Sequence, residues 1–195
     1  MQSPQAEQPP WVARLLGRPG IGGSFAWGFA EGTIFFVVPD VLISLAALFS
    51  PRRAGLHVAA AVAGAVLAGA ILFQWARSSE ATARTWVANV PFVSAEMFEQ
   101  VDRDYRAFGA AALFKGPAYG IPYKIYAVEA PKHISLSTLL LVTIPARLER
   151  LLLAWLFFSA VGLGLRRWRP GRPLLLVGAH AILWAAFYAY YWSVI

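Results

Sequence analysis

Among the ionisable residues that sit inside apolar sequence, six are of types that suit the handling of an anion. Glu31 and Asp40 lie within FAEGTIFFVVPDVLISLA, residues 29–46, with Pro39 beside Asp40. Lys115 and Lys124 lie in the apolar stretch 109–130, which Pro117 and Pro122 interrupt. Arg147 and Arg150 fall near the middle of the long run 134–165. A charge in hydrocarbon costs on the order of 3 kcal/mol, so charges placed there have a task. A cation in a dry site binds phosphate tightly, and arginine does so through a planar fork. A buried carboxylate feels desolvation and nearby cations in opposite senses, so it can exchange protons as its surroundings change. Arg147, Arg150, Lys124 and Lys115 are therefore candidate phosphate ligands, and Glu31 and Asp40 candidate proton-coupling acids. Plainer roles compete. Glu31 can pair with Lys115 or Arg147 and only hold the chain together. Asp40, next to a proline, can cap a helix start. The arginine pair can be neutralised internally. Arg147 and Arg150 are three residues apart and share a helical face, while Glu149 points elsewhere.

The elements that position these residues read as membrane helices. Of 195 residues, 58% are hydrophobic, above the roughly 45–50% of soluble domains. The runs 56–75 and 151–165 carry no acid, lysine or arginine, and each covers most of a bilayer core, which needs about 20 helical residues. The net charge of +7 comes from arginines that flank apolar runs, a pattern of membrane topology rather than of nucleic-acid binding. With no cysteine, disulfides and thiolate metal sites are excluded. His57, His133 and His180 are scattered and give no metal-ligand spacing. No cofactor and no enzyme activity are expected, because no GxSxG, no paired-histidine helix and no metal-holding acid cluster occurs. The opening MQSPQAEQPP lacks a basic start and an apolar core, so no cleavable signal is read there.

Residues 1–21 read as a polar tail and an interfacial amphipathic helix bearing Trp11, Arg14 and Arg18. Residues 22–195 read as one membrane domain. Its first unit, 22–75, is a proline-broken segment followed by a span with small residues at Ala60, Gly64, Ala68 and Gly69. A polar external segment, 76–106, follows, with an amphipathic helix marked by Phe98, Val101, Tyr105 and Phe108. The second unit, 107–165, repeats the plan of the first. A last transmembrane helix, 173–195, ends in an aromatic belt of Tyr188, Tyr190, Tyr191 and Trp192. If the broken segments dip in and return, Arg14, Arg18, Arg52, Arg53, Arg166, Arg167, Arg169 and Arg172 share one side, opposed by Glu7 alone. On the other side Arg77, Arg84, Arg103, Arg106 and Lys132 are balanced by Glu80, Glu96, Glu99, Asp102 and Asp104. That bias makes the first side, and the N-terminus, cytoplasmic. The predicted fold is an all-α polytopic membrane protein of two inverted repeats. Each repeat is a re-entrant helical hairpin plus a transmembrane helix, and a further C-terminal transmembrane helix follows.

Phe29-Ala-Glu31, Pro39-Asp40, Phe108-Gly109, Ile121-Pro-Tyr-Lys124 and Pro145-Ala-Arg147-Leu-Glu-Arg150 follow one another in an order similar to that of the DedA family. These are also called SNARE-associated or VTT-domain membrane proteins, and the shorter YqaA-like branch is the nearer. The resemblance covers residues 22–165. The Arg-Phe-x-Pro-x-x-Arg motif of the larger branch is absent, with Lys115 and Lys124 only approximately in its place. The resemblance implies a flippase or scramblase in the bacterial cytoplasmic membrane. It would move a polyprenyl phosphate or a phospholipid, with a proton gradient implicated. The expected partners are membrane lipids with phosphate headgroups and no nucleic acid, and a homodimer stays open. The alternatives are a transporter of a small anion or drug without lipid, and a structural or insertase-like membrane protein.

Overall fold

A computed structural model describes residues 9–168 and 173–194. The tail 1–8 and residues 169–172 of the basic loop lie outside them. The described residues are helical with no strand, and three helices are long and apolar enough to cross a membrane. The chain is a membrane protein on that evidence.

Helix α1 (Pro10–Leu16) starts on Pro10, whose fixed φ suits a first helical turn. It stops at Gly17, which is extended, so the predicted amphipathic stretch splits there and α2 (Arg18–Thr33) begins anew. Val12 and Leu16 of α1 are buried against Ala46, Ala47 and Ala54, with Trp11 edge-on to Phe49. Helix α2 ends where Thr33 turns its hydroxyl back onto the Phe29 carbonyl, at 2.9 Å, ahead of the β-branched and aromatic run 34–38. After Pro39 the chain resumes as α3 (Asp40–Phe49), then α4 (Pro51–Ser78), whose first turn is capped by the Ser50 hydroxyl.

Helices α2 and α4 run parallel. Ser24 meets His57, Gly28 meets Ala61 and Gly32 meets Ala65 and Ala68. Helix α3 runs back along α4, with Ile43 near Val58 and Ala47 near Ala54. The close approach of α2 and α4 depends on glycine. A Cβ on Gly28 would lie 2.1 Å from the Ala61 carbonyl oxygen, and one on Gly64 would lie 2.1 Å from that of Phe25.

Beyond α4 lie α5 (Glu80–Ala88) and α6 (Ala95–Phe108). Phe98, Val101 and Tyr105 of α6 are buried against Ala83 and Val87 as the spacing predicts. Phe108 is not; it is exposed, with its ring 4.1 Å from the Lys115 ammonium. The broken segment of the second unit has shorter helices than that of the first. A 3-10 segment, Gly109–Phe114, leads to α7 (Gly116–Tyr119) and α8 (Tyr123–Glu129), and a 3-10 turn at Ala130–Lys132 closes it. Gly116, Pro117, Gly120 and Pro122 within seven residues prevent a longer helix. Helix α9 (Leu136–Trp168) is antiparallel to α4. The Trp155 indole donates to the Pro51 carbonyl at 2.7 Å, and Leu148 packs near Val62 and Val66. Helix α10 (Pro173–Val194) is almost wholly exposed and joins α3 through a polar seam in which Ser44 meets His180 and Trp184.

The glycine contacts generate a test. Gly28→Ala or Gly64→Ala forces two backbones apart and should cost about 1–3 kcal/mol, read as a lowered melting temperature in detergent. Gly22→Ala, where nothing lies within 4 Å of the added atom, should leave it unchanged.

Candidate functional site

A cavity of about 310 Å³ lies where the 34–39 break, the 120–122 break and the middle of α9 meet. Glu31, Asp40, Lys124, Arg147 and Arg150 all line it. Each arrives from a different local cause. Glu31 ends the last full turns of α2. Asp40 opens α3 in its first turn, after the N-cap Pro39. Lys124 opens α8 after Pro122. Arg147 and Arg150 share the inward face of α9, just after Pro145, which removes one helical hydrogen bond there.

Two ion pairs cross the cavity. The Arg147 guanidinium donates to the Glu31 carboxylate. Arg150 approaches Asp40 at 3.1 Å, an ionic contact whose geometry is not that of a hydrogen bond. Arg147 also lies over the Tyr123 ring at 4.7 Å, and the Tyr123 hydroxyl is paired with Thr143 at 2.8 Å. Lys124 is 1% exposed, and its ammonium donates to the Phe35 carbonyl at 2.8 Å. No carboxylate pairs with it among the described residues.

Lys115 stands apart from this group. It pairs with buried Asp104 of α6 at 2.9 Å and does not line the cavity. The partner of Glu31 is thus Arg147 and not Lys115. Glu149 is exposed on the outer face of α9.

Aromatic residues of α10 that line the cavity, Phe187 among them, were missed in sequence. Trp184, Tyr188 and Tyr191 of α10 wall it, although Tyr188 and Tyr191 read as part of an interfacial belt. The Val38 N–H donates to the Tyr188 hydroxyl at 2.9 Å. Their spacing of four and three residues on one helical face was the available signal.

The outer helices are tied to α8 by further ions. Arg84 reaches Glu129 at 2.8 Å, and Lys132 reaches Glu129 and Glu80 at 2.8 and 2.6 Å. Burial works against the Lys132 ammonium, but its hydrogen bonds to Glu129 and Glu80 outweigh that and raise its pKa. Burial likewise raises the Tyr105 phenol, whose hydroxyl donates to the Tyr126 carbonyl.

No protein-family model matches the chain, and no curated protein and no solved structure matches it.

The Glu31–Arg147 pair can be tested by removing one charge and then both. Glu31→Gln leaves Arg147 uncompensated and should cost about 3–5 kcal/mol, seen as a large fall in melting temperature. Adding Arg147→Met should recover most of it, whereas adding Lys115→Met should not.

Proposed function

We propose that this protein is a translocase for a lipid with a phosphate headgroup, either a polyprenyl phosphate or a phospholipid, and not an enzyme. One observation carries the reading: the cavity holds three cations, Lys124, Arg147 and Arg150, against two carboxylates, Glu31 and Asp40. The surplus positive charge calls for an anion, and phosphate meets both the ammonium and the guanidinium forks. The volume, about 310 Å³, is at the small end of ligand pockets. It has room for a headgroup, while acyl chains run out past the exposed α10. Glu31 and Asp40 are the acids that would take up protons when an anion draws their arginines away. The order of motifs shared with the DedA family favours the same reading.

The broken segments are read as re-entrant and the halves as inverted repeats. Supporting this, α2 and α3 run out and back along α4, α9 opposes α4, and both breaks face one cavity. Non-helical backbone at membrane depth is tolerated only in such a setting. The arginine bias along the chain supports an N-terminus inside, and the resemblance to the DedA family supports the bacterial cytoplasmic membrane. A second reading, a carrier of a small free anion, is favoured by the same small volume.

Transport decides between them. In proteoliposomes, Arg147→Ala and Arg150→Ala should each lower headgroup translocation tenfold or more per folded molecule, with a lowered melting temperature as well because Glu31 or Asp40 loses its partner. Lysine at either position should restore little, for want of the planar fork. Full lipid transport by the double alanine variant defeats the proposal, and uptake of a soluble anion without lipid movement favours the second reading. Topology is checked separately, since the chain has no cysteine of its own. Ala13→Cys and Arg53→Cys should label from the cytoplasmic side and Ser79→Cys from the other. Labelling of Ala13→Cys on the side of Ser79→Cys removes the re-entrant arrangement.

A further inference from the structure

We infer that Lys124 is the direct ligand of the anionic group, and that the anion takes the place of the Phe35 carbonyl on its ammonium, thereby releasing the backbone segment 34–38. This rests on reading the cavity as a phosphate site.

Before an anion arrives, both arginines are held by carboxylates, whereas Lys124 faces only a neutral carbonyl and is the first cation to meet it. Arg147 is held by Glu31 and lies over the Tyr123 ring, and Arg150 faces Asp40. Lys124 is buried, faces the same cavity, and has a neutral carbonyl as its hydrogen-bond partner. A hydrogen bond to an ionised oxygen is about twice as strong as one to a neutral oxygen, so a phosphate seated in the cavity draws the ammonium toward itself and off the carbonyl. A phosphate oxygen that reaches Lys124 therefore outcompetes the Phe35 carbonyl.

That exchange has a structural effect because of what the carbonyl belongs to. Segment 34–38 is not helical, and side chains from three elements hold its backbone. Lys124 of α8 binds the Phe35 carbonyl at 2.8 Å. Trp27 of α2 donates to the Val37 carbonyl at 2.9 Å. Tyr188 of α10 accepts from the Val38 N–H at 2.9 Å. Lys124 is the one tie between this segment and the second unit among these three. Its transfer to an anion parts the first break from α8, while Trp27 and Tyr188 still hold the remainder. Binding and loosening of the joint between the two units are thus one event.

The test is hydrogen exchange on the full chain in maltoside micelles, with short-chain phosphatidic acid or inorganic phosphate added, and native mass spectrometry to score binding. Phosphatidic acid should bind and speed exchange of the 34–38 amides at least threefold relative to those of 41–49. The same effect from inorganic phosphate would support the exchange with a free anion as its source. Its absence with phosphate alone would support it with a lipid headgroup as the source. Lys124→Met should show the fast exchange without any addition and bind the probe at least tenfold more weakly, while Lys124→Arg should keep binding. Undiminished binding by Lys124→Met, or binding to the unaltered chain with no change at 34–38, overturns the inference and leaves the cavity as an anion site. Binding of neither probe removes both. If Lys124→Met does not fold, the exchange measured on the unaltered chain decides by itself.

Discussion

Everything at the centre of this molecule answers one constraint: a buried interior tolerates neither an unpaired charge nor an unpaired backbone group. Interrupting a helix at Thr33 and resuming it at Asp40 leaves peptide groups without helical partners. Indole, ammonium and phenol groups from three different helices meet them. The acids on either side of the interruption are met in turn by guanidinium groups from a fourth. The break and the charges require each other. Only a gap between helices makes room for long cationic side chains, and only those side chains make the gap affordable.

The remainder of the fold brings these groups together. Glycine on both α2 and α4 lets the two backbones nearly touch, so the hairpin of α2 and α3 stays narrow enough to sit under α9. Tyr123 occupies the space beside Gly69, where a Cβ would lie 2.1 Å from its hydroxyl, and so presents its ring to Arg147. At the far end of α8, Glu129 is fully buried between Arg84 and Lys132. That knot fixes the short helix carrying Lys124 to the outer layer rather than to the cavity.

Much of the fold was legible in sequence because apolar length alone marks α4, α9 and α10, and a proline inside an apolar run marks each break. Glu31, Asp40, Lys124, Arg147 and Arg150 were legible as a group because charge in such surroundings needs a partner. What escaped depended on direction. Lys115 and Lys124 have similar surroundings in sequence, but the 3-10 segment before Lys115 turns it outward to Asp104, whose burial in α6 is not visible in a helix otherwise rich in surface charge. Tyr188 and Tyr191 have the position of interfacial anchors; only the Val38 amide, which nothing in the sequence marks, explains why one of them faces inward. The second unit was expected to repeat the plan of the first, but its broken segment is split into shorter helical pieces. The density of glycine and proline at 116–122 was the clue to that split.

Glu149 lies between the two inward arginines and faces out, on the exposed side of α9 beside Pro145 and Leu153. A carboxylate in that position has no ion-pair partner among the described residues. If that face of α9 meets lipid, the acid would call for headgroups and water drawn along the helix, or for a proton. The one stretch of α9 that points two cations inward would then also fix where the surrounding bilayer has to yield.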